Sequence, residues 1–161
     1  GKKIATIREY FDGRHGGVET TFSLAKPFDA KQLDQAKIDA NFHKTLNWKT
    51  LYKEVKLKET SKVGDEEVYV VVKTPEKGSP ETDYISTKTF LVVKRDKTVD
   101  VTGQGGAPVS EFYSDYRMVD GVMVPFKVVA EQPGLGTVVS LVKDVKFNVA
   151  LAEEEFRPRM R

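Results

Sequence analysis

Residues Tyr113–Phe147 read YSDYRMVDGVMVPFKVVAEQPGLGTVVSLVKDVKF and contain two β-hairpin signals in tandem. The pair Asp120-Gly121 tolerates positive φ, so a tight two-residue turn should place Val119 opposite Val122. Apolar and polar residues alternate on both sides of this turn, as they do in strands that have one solvent-exposed face. The stretch therefore predicts consecutive antiparallel strands in a defined register.

The second reversal, Pro133 to Gly136, extends this register to the following strand. It should place Gln132 opposite Thr137. In that register one face of the sheet is almost entirely apolar, and the other face is polar. The apolar members of the first face are Val122, Val124, Phe126, Val128, Ala130, Val139, Leu141, Val145 and Phe147.

Asp115, Arg117 and Lys143 are the polar exceptions on this apolar face. Buried charges persist only when they are paired or hydrated, so the three side chains form either a salt-bridged structural network or the polar end of a ligand site. In the second interpretation, the apolar part of the ligand contacts neighbouring residues of the same face. The predicted apolar ligand-binding residues are Tyr113, Val122, Val124, Phe126, Val128 and Leu141, and the predicted polar ones are Asp115, Arg117 and Lys143.

Composition narrows the classes of function. The chain of 161 residues has a formal net charge of +2 and no cysteine, which excludes disulfides, thiolate catalysis and cysteine-bound zinc. Acidic and basic residues are interleaved, so we expect no nucleic-acid partner. Lysines 49, 53, 56 and 58 cluster, and their spacing favours the solvated edge of a strand over a phosphate or anionic-lipid site.

The sequence has no apolar run of roughly 18 residues that could span a membrane, and its first residues lack the apolar region of a signal peptide. The chain opens inside a strand pattern, Lys3 to Phe11. Any export signal or upstream domain would therefore lie before this segment.

Short strand patterns separated by turn signals occupy most of the chain and predict a meander. Only Asp29 to His43 has helical periodicity, with Asp29 able to cap its N-terminus. We predict a single, mainly β (α+β) domain over residues 1–161, with about nine strands in one curved antiparallel sheet, unclosed, and one packed amphipathic helix. The alternative is a closed lipocalin-like barrel, in which the first and last strands pair. The predicted strands are Lys3–Phe11, Val18–Leu24, Leu51–Glu59, Glu66–Thr74, Thr82–Ser86, Thr89–Val99, Val109–Val119, Val122–Gln132 and Thr137–Val149.

Candidate catalytic groups are few. His15 and His43 lack the spacing of metal ligands, and no third imidazole or thiolate is available, so we expect neither a metal nor another cofactor. Gly103 to Gly106 resembles a phosphate loop only superficially, because a strand pattern rather than a helix follows it. A hydrolase that uses the scattered carboxylates would require an acid pair about 5 to 9 Å apart across a cleft.

Several motifs resemble bacterial outer-membrane lipoprotein-sorting proteins, which are relatives of the periplasmic carrier LolA and its receptor LolB. The resemblance is strongest from Phe42 to Pro158. It rests on GDEEVYVVVKTPEKGSPETDYISTKTFLVVKR (64–95), with its marker strand Thr89–Arg95, on Ser-Asp-Tyr-Arg (114–117), on the Val-Asp-Gly turn (119–121), on Pro-Phe-Lys (125–127) and on VKFNVALAEEEFRP (145–158).

The resemblance implies a strongly curved, unclosed antiparallel sheet with helical segments over its concave side and a cavity that receives acyl chains. It also implies an extracytoplasmic location, most simply the periplasm. Carriers of this class usually begin with a helix and have further lid helices, whereas this chain begins in a strand pattern. That departure favours a fragment or C-terminal module of a longer exported protein.

Two functions follow as hypotheses. The first is a non-enzymatic module that binds a lipid, an acyl chain or a lipoprotein. Such a module could contact a membrane at its surface without spanning it. The second is an accessory or protein-interaction domain with a filled core and no ligand. A cavity beside the apolar face would distinguish them.

Overall fold

The structure, a computed structural model, describes residues 6–41, 44, 46–101, 105–134 and 136–158. The chain divides into two compact units. The first contains both chain ends, Gly1–Leu51 and Val149–Arg161, and the second is Tyr52–Asn148.

The first unit contains a three-stranded antiparallel sheet in the order β1-β2-β3, formed by β1 (Ile7–Phe11), β2 (Gly16–Thr20) and β3 (Ser23–Pro27). The sequence predicted one strand from Val18 to Leu24, but the chain reverses between β2 and β3. The Thr20 hydroxyl accepts the N–H of Phe22 at 3.2 Å, and it lies 2.9 Å from the Ser23 hydroxyl. A threonine that bonds the backbone two residues on favours a turn over a continuous strand.

Helix α1 (Ala30–Asp39) begins as predicted, and the short helix α2 (Trp48–Leu51) follows it. Asp29 caps α1 through a capping box, in which its side chain accepts the N–H of Gln32 at 2.8 Å and the Gln32 side chain accepts the N–H of Asp29 at 3.0 Å. The helix ends earlier than His43, a residue that lies outside the described part of the chain.

The C-terminal residues return to β1 and form a 3₁₀ helix over Glu153–Phe156. Arg8 of β1 holds this segment, because its guanidinium donates to the carbonyls of Arg157 at 2.8 Å and Glu155 at 2.5 Å. The same guanidinium lies 3.0 Å from Glu19 of β2. One half-buried arginine therefore joins β1 to the C-terminal segment within the first unit.

The second unit is a seven-stranded antiparallel sheet in the order β10-β9-β8-β7-β6-β5-β4. Each of these strands pairs with the next one along the chain, so the predicted meander is confirmed within this unit, but the described strands form two sheets rather than the predicted one. The strands are β4 (Tyr52–Val63), β5 (Glu66–Pro75), β6 (Glu81–Ser86), β7 (Val92–Val101), β8 (Gly105–Val119), β9 (Val122–Gln132) and β10 (Gly136–Leu141).

The β8–β9 hairpin forms in the predicted register, with Val119 opposite Val122. Asp120 has φ +44° and Gly121 has φ +83°, as a two-residue turn with two left-handed positions requires. Turn chemistry alone was therefore sufficient to align these two strands.

The predicted register of the β9–β10 hairpin is wrong by one residue. Gln132 lies opposite Gly136 rather than Thr137, because Gly136 (φ +112°) already belongs to β10. A one-residue slip exchanges the two faces of a strand. Leu141, predicted to share a face with Val128, is instead opposite Lys127 and lies on the other face of the sheet.

The seven-stranded sheet has two edges, β4 and β10, and no pairing between them occurs in the described residues. The sheet is therefore antiparallel and unclosed, as predicted, and the lipocalin-like alternative is not observed in this part of the chain. Buried apolar residues lie on both of its faces, Val68 and Val70 on one and Val109 and Phe126 on the other.

Candidate functional site

One face of the seven-stranded sheet carries most of the predicted ligand-binding residues, and we call it the Tyr113 face. Cross-strand partners in an antiparallel ladder share a face, and Tyr113 pairs with Val128 and Arg117 with Val124. Tyr113, Val122, Val124, Phe126 and Val128 are thus brought together by β8 and β9. The opposite side, which carries Met123, Val129 and Leu141, is the Met123 face.

Four charged side chains, three buried and one nearly so, lie next to this cluster on the Tyr113 face, and we call them the ion network. They are Lys73 (β5), Glu81 and Asp83 (β6) and Arg95 (β7), with side-chain exposures of 10%, 8%, 7% and 14%. Lys73 pairs with Glu81 and Asp83 with Arg95 across adjacent strands. The alternation of three neighbouring strands therefore points two cations and two carboxylates at one another.

The geometry of the ion network is close and bidentate. Lys73 Nζ lies 2.7 Å from Glu81 Oε1 and 2.6 Å from Asp83 Oδ2. Arg95 donates to both oxygens of Asp83, from Nε at 2.6 Å and from Nη2 at 3.2 Å. Such short, charge-assisted bonds offset the cost of removing four charges from water.

Tyr52 of β4 extends the network to the edge of the sheet by donating its hydroxyl hydrogen to Glu81. Lys73 Nζ also lies 5.1 Å from the centre of the Tyr52 ring. Burial by itself would raise the pKa of Glu81, but the charges of Arg95 and Lys73 and the bonds from Lys73 and Tyr52 lower that pKa to about 2. Burial and the bond to Glu81 raise the pKa of the Tyr52 hydroxyl.

Tyr113 connects the ion network to the apolar residues of β9. The Arg95 guanidinium lies 5.9 Å from the centre of the Tyr113 ring, and the Tyr113 hydroxyl donates to Glu111 at 2.5 Å. Glu111 is in turn 2.8 Å from Lys97. Burial raises the pKa of Tyr113; the charge of Arg95 opposes this rise, and the bond to Glu111 adds to it.

The apolar part of the Tyr113 face follows β9. Phe126 is buried, Val124 and Val128 are half-buried, and Val122 near the turn is 41% exposed. The apolar surface therefore becomes more exposed towards the Asp120-Gly121 turn and less exposed towards Tyr113.

The predicted polar trio is only partly brought together. Arg117 binds both oxygens of Asp115 at 3.0 and 2.7 Å, and its guanidinium lies 4.4 Å from the centre of the Phe126 ring. Asp115 has φ +54°, unusual for a non-glycine residue within a strand. The pair is well exposed, at 46% for Asp115 and 55% for Arg117, so it is not a buried network.

Lys143 does not join Asp115 and Arg117. The predicted row placed it opposite Phe126, but Val142 donates its N–H to the Phe126 carbonyl at 2.9 Å. Lys143 is exposed and follows the end of β10. The same one-residue slip that moved Leu141 accounts for this difference.

Sequence reasoning missed the ion network. A signal was present, since Glu81 and Asp83 are two residues apart and so share a face of their strand. Recognising their partners required the pairing of β5, β6 and β7, because Lys73 and Arg95 lie on different strands.

The described residues form no candidate metal site. No group of three or more His, Asp or Glu side chains is placed to hold a metal within them. His15 is 84% exposed and lies 3.4 Å from Asp12, whose pKa is lowered to about 2, chiefly by bonds from the backbone of His15 and Arg14. Residues 102–104 of the glycine-rich loop lie outside the described ranges, and β8, which follows, is a strand as predicted.

An open depression of about 420 Å³ lies in the first unit. It is lined by Phe11 and Asp12 at the end of β1 and by Glu153, Phe156 and Arg157 of the C-terminal segment. None of these residues was predicted to bind a ligand.

Across the described part of the chain, no helix combines the length and apolar character that crossing a bilayer requires.

The fold is similar to two solved structures. A DUF1329 family protein from Desulfovibrio piger aligns with a TM-score of 0.58 and 18% identity over 95% of this chain and 68% of that chain. A LolA superfamily protein from Nitrosomonas europaea aligns with a TM-score of 0.55 and 18% identity over 94% of this chain and 70% of that chain. No family model and no curated protein matches the sequence. The chain therefore has a LolA-like fold, and at this identity the likeness concerns the fold alone.

Proposed function

We propose that this LolA-like protein binds an apolar or amphiphilic ligand, such as the acyl chain of a lipid or lipoprotein, on the Tyr113 face, and that it catalyses no reaction. The observation that carries the proposal is the continuity of two surfaces on that face. The apolar residues of β9 adjoin the ion network through Tyr113, so one continuous surface has an apolar and a polar end.

The two ends suit different parts of an amphiphile. Val124, Phe126 and Val128 offer apolar contact, and ligand sites are generally apolar with a few polar groups that fix orientation. Tyr113 suits the boundary, because its ring offers an apolar surface and its hydroxyl is held by Glu111. Arg117, stacked on Phe126, offers a second polar contact nearer the turn.

The ion network favours binding over catalysis. Its two cations and two carboxylates bond to one another, and among the described residues no polar side-chain atom of the network is buried without a partner. A general acid or base needs a pKa near the working pH, whereas the pKa of Glu81 is about 2. The network is therefore suited to fixing the sheet and the polar end of the site.

We treat the whole chain as one LolA-like domain, since the structural likeness extends over nearly all of it.

We also place the protein outside the cytoplasm, in the periplasm. The family resemblance is the support for this location. Cell fractionation of the full-length gene product, with a periplasmic marker, tests the location.

Two adjacent valines provide a matched test of the binding face. Val128 lies on the Tyr113 face and Val129 on the Met123 face, and both are half-buried in β9. Binding of a fluorescent fatty acid is titrated against the wild type, V128N and V129N. We expect V128N to weaken binding about tenfold, because the amide loses hydration without gaining a partner, and V129N to change it less than about twofold.

Thermal unfolding of both variants serves as the control, since each places an amide in the same strand. Failure of the wild type to bind the probe at micromolar concentration would overturn the proposal and favour an accessory, protein-interaction role. Equal weakening by V128N and V129N would overturn the assignment of the face.

A further inference from the structure

Strand β10 is an unprotected edge of the seven-stranded sheet. Its six residues, GTVVSL, include no charged side chain, and all of them are exposed. Val138, Val139 and Leu141 are 65%, 55% and 68% exposed. An uncharged, apolar edge strand is a ready template for pairing with another strand.

Charged side chains protect the other edge of the same sheet against pairing with a further strand. Strand β4, YKEVKLKETSKV, carries charged side chains along most of its length. Its cations are Lys53, Lys56, Lys58 and Lys62, and its carboxylates are Glu54 and Glu59. Charges on an edge strand discourage edge-to-edge association, so of the two edges of the seven-stranded sheet β10 is the one open to it.

The hydrogen bonds to β9 identify which backbone groups of β10 face outwards. Val142 donates its N–H to Phe126, and hydrogen-bonded positions alternate along an antiparallel ladder, so Ser140 and Val138 also direct their backbone groups to β9. Thr137, Val139 and Leu141 consequently point their N–H and C=O groups away from the sheet, where no strand of the described residues lies.

These outward groups are spaced symmetrically about Val139. We propose that β10 pairs antiparallel with β10 of a second copy of this chain, across a two-fold axis at Val139. Val139 then faces Val139 of the second copy, and Thr137 faces Leu141 of the second copy on either side. Three facing pairs at hydrogen-bonded positions give about six hydrogen bonds, and no outward group of these residues is left unpaired.

The side chains favour a second copy as the occupant. A two-fold axis places identical strands side by side, which would repel if β10 carried charges of one sign, and it carries none. The axis keeps faces together, so the two Val139 side chains lie side by side on the Met123 face, and each Leu141 lies beside Thr137 of the second copy. Pairing uses the β10 edge of both copies, and the other edge of each seven-stranded sheet, β4, is charged, so these sheets join no third copy and the assembly closes as a dimer.

The mass of the protein in solution tests the pairing. Sedimentation equilibrium between about 1 µM and 1 mM should show the mass rising from 18.1 kDa towards twice that value. V139P removes only an outward N–H, which an edge strand tolerates, and should raise the dimer dissociation constant at least tenfold. V139K places like charges across the axis and should also raise the dimer dissociation constant. V139T is the control, because it retains the N–H and should still dimerise.

Circular dichroism establishes whether each variant is folded. If V139P does not fold, the dimer dissociation constant of V139K tests the pairing instead. A wild type that remains a monomer throughout the concentration range overturns the proposal. Dimerisation of V139P or V139K equal to that of the wild type overturns it as well, as does growth into species larger than a dimer. Fatty-acid binding is measured separately, so the dimer and the ligand site can fail independently.

Discussion

Asp83 and Asp115 are both aspartates bound by an arginine on the same sheet face, but their burial differs. The Asp83 side chain is 7% exposed and also contacts Lys73, whereas Asp115 is 46% exposed and pairs with Arg117. The free energy of an ion pair depends on desolvation more than on distance. The two residues should therefore respond differently to the same substitution.

We predict that D83A lowers the free energy of unfolding by about 3 to 5 kcal/mol, because it leaves Lys73 and Arg95 buried with one carboxylate between them. D115A should lower it far less, since the Arg117 guanidinium remains in water. Urea denaturation of both variants measures the difference. Equal losses would show that the ion network is hydrated.

Glu81 should make stability depend on acid pH. Its pKa is lowered from 4.5 to about 2 by Arg95, Lys73 and Tyr52 acting against burial. A group whose pKa is lower in the folded state stabilises that state above its unfolded pKa and loses this effect as the pH falls. We expect stability to decline from near pH 4.5 towards pH 2.

The measurement is urea denaturation from pH 6 to pH 2 on the wild type and on E81Q. The amide does not titrate, so the variant should be less stable at pH 6 and show a shallower decline. A decline of the same slope in E81Q would assign the acid sensitivity to other carboxylates.

At the scale of single elements, α1 is set by local chemistry. Asp29 and Gln32 form a reciprocal capping box, while Asp34 pairs with Lys37 on the exposed surface of the helix. D29A should cost about 1 kcal/mol, because the first turn loses a partner for its N–H groups. D34A should cost less than about 0.5 kcal/mol.

Chemical denaturation followed by circular dichroism compares D29A with D34A. The two substitutions remove one carboxylate each from the same helix region, so net charge is matched. Similar losses for both would indicate that charge, rather than the cap, stabilises α1.

Strand alignment shows how far element-level reasoning extends. Asp120-Gly121 fixed the β8–β9 register correctly, because a two-residue turn has few conformations and both residues accept positive φ. The loop after Gln132 offers glycines at both 134 and 136, each with positive φ, and so permits more than one alignment. The structure selects the alignment that places Leu141 on the Met123 face.

At the scale of the whole molecule, the first unit is closed by contacts between residues far apart in sequence. Arg8 donates to carbonyls at Glu155 and Arg157, and it lies beside Glu19. R8A should cost about 1.5 to 3 kcal/mol through the lost charge-assisted bonds and should expose the C-terminal segment to proteases.

Limited proteolysis with mass mapping of cleavage between residues 149 and 158 measures this exposure. R157A is the matched control, because the Arg157 guanidinium pairs with the exposed Glu153 side chain, while the Arg157 carbonyl remains in place. Equal cleavage of the two variants would show that Arg8 does not hold the segment.

The sequence by itself determined the antiparallel meander, the start of α1 and the β8–β9 turn. These features follow from alternation, capping and turn residues, which act over a few neighbouring positions. Only the tertiary structure decided that Lys73, Glu81, Asp83 and Arg95 meet, that Leu141 and Lys143 leave the predicted site, and that Arg8 binds the C-terminal segment. Those features depend on which strands become neighbours and on how deeply charges are buried, and both are properties of residues distant in sequence.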